Sequence, residues 1–89
     1  MLDGMSKPSS PVSTRMLFGR NVRAIRRLRE LSQEALAAQA DIYRSHITLI
    51  ERGEINVSID TMERIAHALN MEVRELLDPA LMPEHLSQR

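Results

Sequence analysis

The chain has no cysteine, so neither a disulfide framework nor a thiolate metal site can staple it, and nothing in it demands an oxidising compartment. It also lacks any apolar run of roughly 7–15 residues near its start, and no stretch approaches the ~20 apolar residues of a membrane span. A soluble, cytoplasmic protein without membrane contact is expected. Helical spacing over five short segments with connections of a few residues leaves no room for a sheet. Catalytic signatures are missing as well: there is no H-E-x-x-H run and no Gly-rich loop to cradle a phosphate. His46, His67 and His85 stand about twenty residues apart without a second ligand at helical spacing. The six methionines suit core filling better than a cofactor box. No enzyme activity, catalytic residue, metal or cofactor is therefore expected. With 89 residues, one small domain is the ceiling. A domain of that class buries about 60% of its unfolded surface, enough for a helical core but not for a deep cleft.

What is present is charge, unevenly laid out. The formal net charge is zero, yet residues 1–29 hold seven Lys+Arg and one acid, a net +6, while residues 30–89 hold five Arg and eleven acids, a net −6. A local field acts over about a Debye length whatever distant charges do, so the basic end hints at a polyanion partner. The competing reading is that Arg15, Arg20, Arg23, Arg26, Arg27 and Arg29 simply solvate the outer face of a helix.

The pattern predicts five short helices. Residues 1–14, with Pro8, Pro11 and five Ser/Thr, read as a flexible N-terminal tail. Phe18, Val22, Ile25 and Leu28 then form one apolar stripe of helix one, about 15–30. Ser32 caps helix two, about 33–40, with Leu36, Ala37 and Ala40 inward. After a break at Asp41, Ile42 and Tyr43, helix three runs from about Arg44 to Arg52, buries Ile47 and Ile50, and ends at Gly53. Stepping ~100° per residue from Ile47 leaves Ser45, Thr48, Leu49 and Arg52 outward. Ser58 caps helix four, with Ile59, Met62, Ile65, Ala66 and Leu69 on one face and Asn70 closing it left-handed. Helix five, about 72–77, stops before Pro79. The expected architecture is all-α, a compact five-helix bundle over 15–78 followed by a C-terminal tail at 79–89.

Helices two and three, each about eight residues long with a tight break and an outward polar face on the second, form a helix-turn-helix candidate. The run from S-Q-E-A-L-A-A-Q-A through I-E-R-G-E-I-N-V-S-I-D-T-M-E-R-I-A-H-A-L resembles the phage-repressor, or Xre, type of helix-turn-helix regulator. The likeness spans about Phe18 to Leu77, and E-R-G-E-I-N-V-S-I-D-T-M-E-R-I-A is also similar to the controller proteins of restriction-modification systems. Departures accompany it. Glu30 and Asp41 stand where such proteins commonly carry Gly, which predicts an altered first turn. Tyr43 replaces a usual capping Ser or Thr, and Glu54-Ile55 replace residues that are often basic.

A helix of this kind enters the major groove, ~12 Å wide, and reads base edges with its N-terminal residues. Arg44 is the leading base reader because a guanidinium can donate two parallel bonds to guanine, with a phosphate contact or plain solvation as its competing roles. Ser45, Thr48 and Leu49 are the other base candidates; Leu49 suits a thymine methyl or a dimer contact. Gln33, Arg23, Arg26, Arg27, His46 and Arg52 are candidates for phosphate. The resemblance further implies that Arg26 pairs with Glu51. One recognition helix covers few base pairs, so a homodimer on a (pseudo)palindromic operator is expected. Ile55, Val57, Leu76, Leu77, Leu81 and Met82 are its interface candidates. The alternative is an antitoxin-type interaction module whose acidic half engages a toxin while it represses its own operon.

Overall fold

The computed structural model describes residues 12–81. Five helices follow one another: α1 (Thr14–Leu28), α2 (Gln33–Ala40), α3 (Arg44–Arg52), α4 (Ile59–Ala68) and α5 (Val73–Leu76). No strand occurs among the described residues. The boundaries of α2 and α3 coincide with expectation. At the other ends they differ. α1 starts at Thr14 because the Ser13 hydroxyl accepts from the Met16 N–H, so residues 13 and 14, expected in the tail, form a cap and first turn. The rest of the expected tail, residues 1–11, and residues 82–89 lie outside the described residues. α5 is only one turn long, opened by the Glu72 N–H donating to the Glu75 carboxylate.

Four of the helices end the same way. A residue with positive φ donates to the carbonyl three positions back, and the next residue donates to the carbonyl five back. These pairs are Glu30 to Arg27 with Leu31 to Arg26, Asp41 to Ala38 with Ile42 to Ala37, Gly53 to Ile50 with Glu54 to Leu49, and Asn70 to His67 with Met71 to Ala66. This double closure satisfies carbonyls that a helix end would otherwise leave open. Leu31, Ile42 and Met71, the residues just past three of the turns, fold back onto the core. The altered turn expected at Glu30 is not found: it adopts φ 59°, as Asp41 does, because both closing bonds and the anchoring of Leu31 require that geometry.

The core gathers Phe18, Val22 and Ile25 from α1, Leu36, Ala37 and Ala40 from α2, Ile47 and Ile50 from α3, Ile65 and Ala66 from α4, Leu69 and Met71 from the turn that follows it, and Leu76 from α5. Gly19 permits the tightest approach within it. A Cβ there would overlap the Ile50 carbonyl oxygen and stand 2.9 Å from that of Glu51, so α1 rests directly on the α3 backbone. Asn21 is the one polar residue buried as a whole among the described residues. Its amide donates to the Leu76 and Asp78 carbonyls, both at 3.0 Å, and ties α1 to the end of α5. Ile59, expected on the core face of α4, is 71% exposed, because it occupies the first position of the helix, ahead of the buried turn at Ile65 and Ala66.

A left-handed Glu costs about 1–2 kcal/mol, and Gly gives back part of that relief as lost chain entropy. Glu30→Gly is therefore expected to stabilise the fold by about 0.5–1 kcal/mol and to raise Tm by a few degrees, read by circular dichroism at fixed protein concentration. An unchanged or lower Tm contradicts the strained turn.

Candidate nucleic-acid interface

α1, α2 and α3 meet at Glu51. Its side chain is only 4% exposed, and its carboxylate accepts two bonds from Arg26, Nε to Oε2 at 2.6 Å and Nη2 to Oε1 at 3.0 Å. Arg26 also donates from Nη1 to the Leu31 carbonyl at 2.9 Å, and its side chain is 11% exposed. Gln33, at the first position of α2, donates from Nε2 to Glu51 Oε1 at 3.1 Å. The Thr48 hydroxyl in turn donates to Gln33 Oε1 at 3.1 Å. This chain of bonds locks the two helices of the corner to each other and to the basic helix.

Around it opens a cleft lined by Arg23, Arg26, Arg27, Gln33, Arg44, Thr48, Glu51 and Arg52. Sequence separations of up to 29 residues thus collapse onto one concave, cationic face. Arg23, Arg27, Arg44 and Arg52 are exposed there. Their neighbours hold them weakly: Arg44 lies 3.9 Å from Glu34 and Arg52 lies 4.0 Å from Glu54, each pair more than half exposed. Exposed pairs of that length contribute little and yield readily to a stronger anion. Arg26 differs, since three of its five donors are spent on protein acceptors, and it acts chiefly as a brace. Arg29 leaves the basic face altogether, donating from Nε to the Leu69 carbonyl at 3.1 Å. Arg15 lines a separate groove with Phe18, Val57 and Met62.

Along α3, Arg44, Ser45 and His46 are exposed, while Thr48 and Leu49 are half-buried. Tyr43 provides no side-chain cap, and the residue, next to Arg44 in the chain, is 79% exposed. Among the interface candidates, Leu76 must be withdrawn. It is wholly buried, because α5 packs on α1 and α4 and Asn21 holds its carbonyl. Ile55, Val57, Leu77 and Leu81 are half-buried against the core, and Met82 lies outside the described residues. Three features escaped the sequence reading: the exposure of Ile59, the close approach at Gly19, and the bond from Thr48 to Gln33. The last had a legible signal, since positions 48 and 51 share one face of a helix and Gln33 opens its neighbour. No helix among the described residues is long and apolar enough to cross a membrane, and no group of His, Asp and Glu there is placed to hold a metal.

Removing one member of a buried ion pair strands the other, which costs about 3–5 kcal/mol. Glu51→Ala is expected to destabilise by about 3 kcal/mol in urea unfolding, and the double replacement Arg26→Met with Glu51→Leu is expected to recover most of that loss. A single-variant loss below about 1 kcal/mol would show that the pair is not the brace.

Comparison with known proteins agrees with this geometry. A family model described as helix-turn-helix matches residues 22–76. The chain is 48% identical over 65 residues to the control protein C.BamHI of Bacillus amyloliquefaciens, covering 72% of this chain and 80% of that protein. It is 41% identical over 61 residues to the control protein C.SmaI of Serratia marcescens, covering 68% and 73%. The crystal structure of the restriction-modification controller protein C.AhdI from Aeromonas hydrophila superposes with a TM-score of 0.68 at 40% identity, over 70% of this chain and 94% of that one. With a corner of this form between α2 and α3 and relatives of this closeness, the chain belongs to the helix-turn-helix family of DNA-binding regulators and is homologous to restriction-modification controller proteins.

Proposed function

We propose that the protein binds a (pseudo)palindromic operator as a homodimer and regulates transcription in the manner of a restriction-modification controller. The observation that carries this reading is the convergence of Arg23, Arg27, Arg44 and Arg52 beside the exposed start of a braced α3. In the proposed complex α3 lies in the major groove. Arg44 and Ser45 reach base edges first, with Thr48 and Leu49 one turn further along. Arg23, Arg27, Arg52 and His46 meet phosphates on either side, and Gln33 offers the second N–H of its amide. Similarity to control proteins supports a regulator over a module built around a toxin partner.

Dimerisation follows from the limits of one helix, because two copies about a two-fold axis read half-sites ~34–36 Å apart. Ile55, Val57, Leu77 and Leu81 offer partly exposed apolar surface for that contact, and Ile59 adds its largely exposed side chain.

Gel shift of genomic fragments with competitor tests the reading, and the absence of any shifted fragment at micromolar protein and low salt would refute it. On a bound fragment, Arg44→Ala is expected to relax preference at one base position per half-site at a cost of about 1–3 kcal/mol. Arg23→Ala is expected to weaken all sequences alike and to lower the log–log salt slope by about 0.9 for each phosphate that is no longer neutralised. The reverse pattern would overturn the division between base readers and phosphate contacts.

A further inference from the structure

The bond chain from Arg26 to Thr48 has a direction, and that direction sets what Thr48 can recognise. A carboxylate only accepts, so Glu51 obliges Gln33 to turn its NH2 towards Oε1, as the 3.1 Å contact records. The amide oxygen of Gln33 is thereby aimed at Thr48. A threonine hydroxyl carries one hydrogen, and both acceptors within reach belong to the protein: Gln33 Oε1 at 3.1 Å and the Arg44 carbonyl at 3.3 Å. What remains for the cleft is lone pair. The opposite polarity would need Gln33 reversed, with its oxygen against a carboxylate 4% exposed.

We infer that Thr48 is a specificity-determining residue that reads nucleobases as a hydrogen-bond acceptor only, and therefore favours an amino base, adenine N6 or cytosine N4, over the keto bases guanine and thymine. The inference rests on the reading that α3 lies in the major groove. Gln33 is then a positioning residue: besides any phosphate contact, it holds the Thr48 hydrogen away from the DNA. A serine or threonine without such a partner rotates its hydrogen freely and accepts either base class. The buried ion pair thus sets one element of specificity from within the protein, through two side chains.

Duplexes selected from a randomised library by the wild-type protein, Thr48→Val, Thr48→Ser and Gln33→Met test this, with Tm measured for each variant. One strand position per half-site is expected to hold A or C with the wild type, to become indifferent with Thr48→Val, and to keep its preference with Thr48→Ser. Replacing that base by an analogue lacking the amino group should weaken wild-type binding about fivefold, the worth of one neutral hydrogen bond, and leave Thr48→Val unaffected. Gln33→Met leaves only the longer 3.3 Å contact to the Arg44 carbonyl to hold the hydroxyl hydrogen, so discrimination against G and T at that position should narrow while the position that Arg44→Ala relaxes stays sharp. If the flattened position held G or T, or if no position responds to Thr48→Val, the assignment is overturned and the regulator reading stands. If the wild type enriches no duplex, both fall.

Discussion

A carboxylate that is almost entirely out of water governs this small protein. Glu51 sits near the end of α3, and an unpaired charge there would cost several kcal/mol. Its pairing with Arg26 is thus a condition of folding, and it has geometric consequences. Two bonds from one guanidinium fix both the distance and the tilt between α1 and α3. The same stretch of α3 is held at a second point by the same helix, where Gly19 lets the α1 backbone sit against the carbonyls of Ile50 and Glu51. With Gln33 joining from α2, the helix that faces the cleft is held by both its neighbours at one residue. Groups held this way meet a ligand without first losing freedom, which is how a domain of few buried residues presents a rigid face.

Zero net charge conceals this arrangement, because the arginines have been divided among unlike tasks. Arg26 neutralises a buried acid and Arg29 secures the turn after α4. Arg23, Arg27, Arg44 and Arg52 keep water and open space in front of them. The cleft is lined by five Arg and a single acid, Glu51, with Glu34 3.9 Å from Arg44 and Glu54 4.0 Å from Arg52, while Asp60, Glu63, Glu72 and Glu75 lie on or beside α4 and α5. Within a Debye length of ~8 Å the field of the cleft is thus positive despite the sum.

How much of this was legible in the chain depended on whether the cause was local. The limits of α2 and α3 were readable because Ser32, Gly53 and the spacing of Leu36, Ala40, Ile47 and Ile50 all act within one or two turns. The left-handed turn at Asn70 was readable for the same reason. Glu30 was not: local propensity opposes positive φ, and the anchoring of Leu31 in the core overrides it. Leu76 is buried and Ile59 exposed, each against expectation, because the apolar stripe of a helix does not say where its neighbours end. Gly19 passed unnoticed, since a glycine inside a helical pattern looks like a weak point until another backbone is found against it. At the site, the Arg26–Glu51 pair was implied by the resemblance, whereas its continuation through Gln33 to Thr48 was not foreseen. Spacing brings Gln33 and Thr48 together, but which atom of Gln33 faces Thr48 depends on the bond to Glu51.

Asn21 carries the constraint to the far end of the molecule. A buried amide with two donors must find two acceptors, and here it finds them 55 and 57 residues away, at Leu76 and Asp78. The carbonyl of Leu76 is fixed by the same helix whose Arg26 fixes α3, so α1 links Leu77 and Leu81, on the chain that follows, to the cleft, alongside the packing of α5 on α4. In the proposed dimer the distance between two recognition helices is set by where those leucines lie relative to α3. A half-site spacing of about one DNA turn tolerates little slack. The polar side chain in an otherwise apolar core is therefore best understood as a measure of length: in the proposed dimer it joins the surface for a second copy and the surface for DNA within one domain.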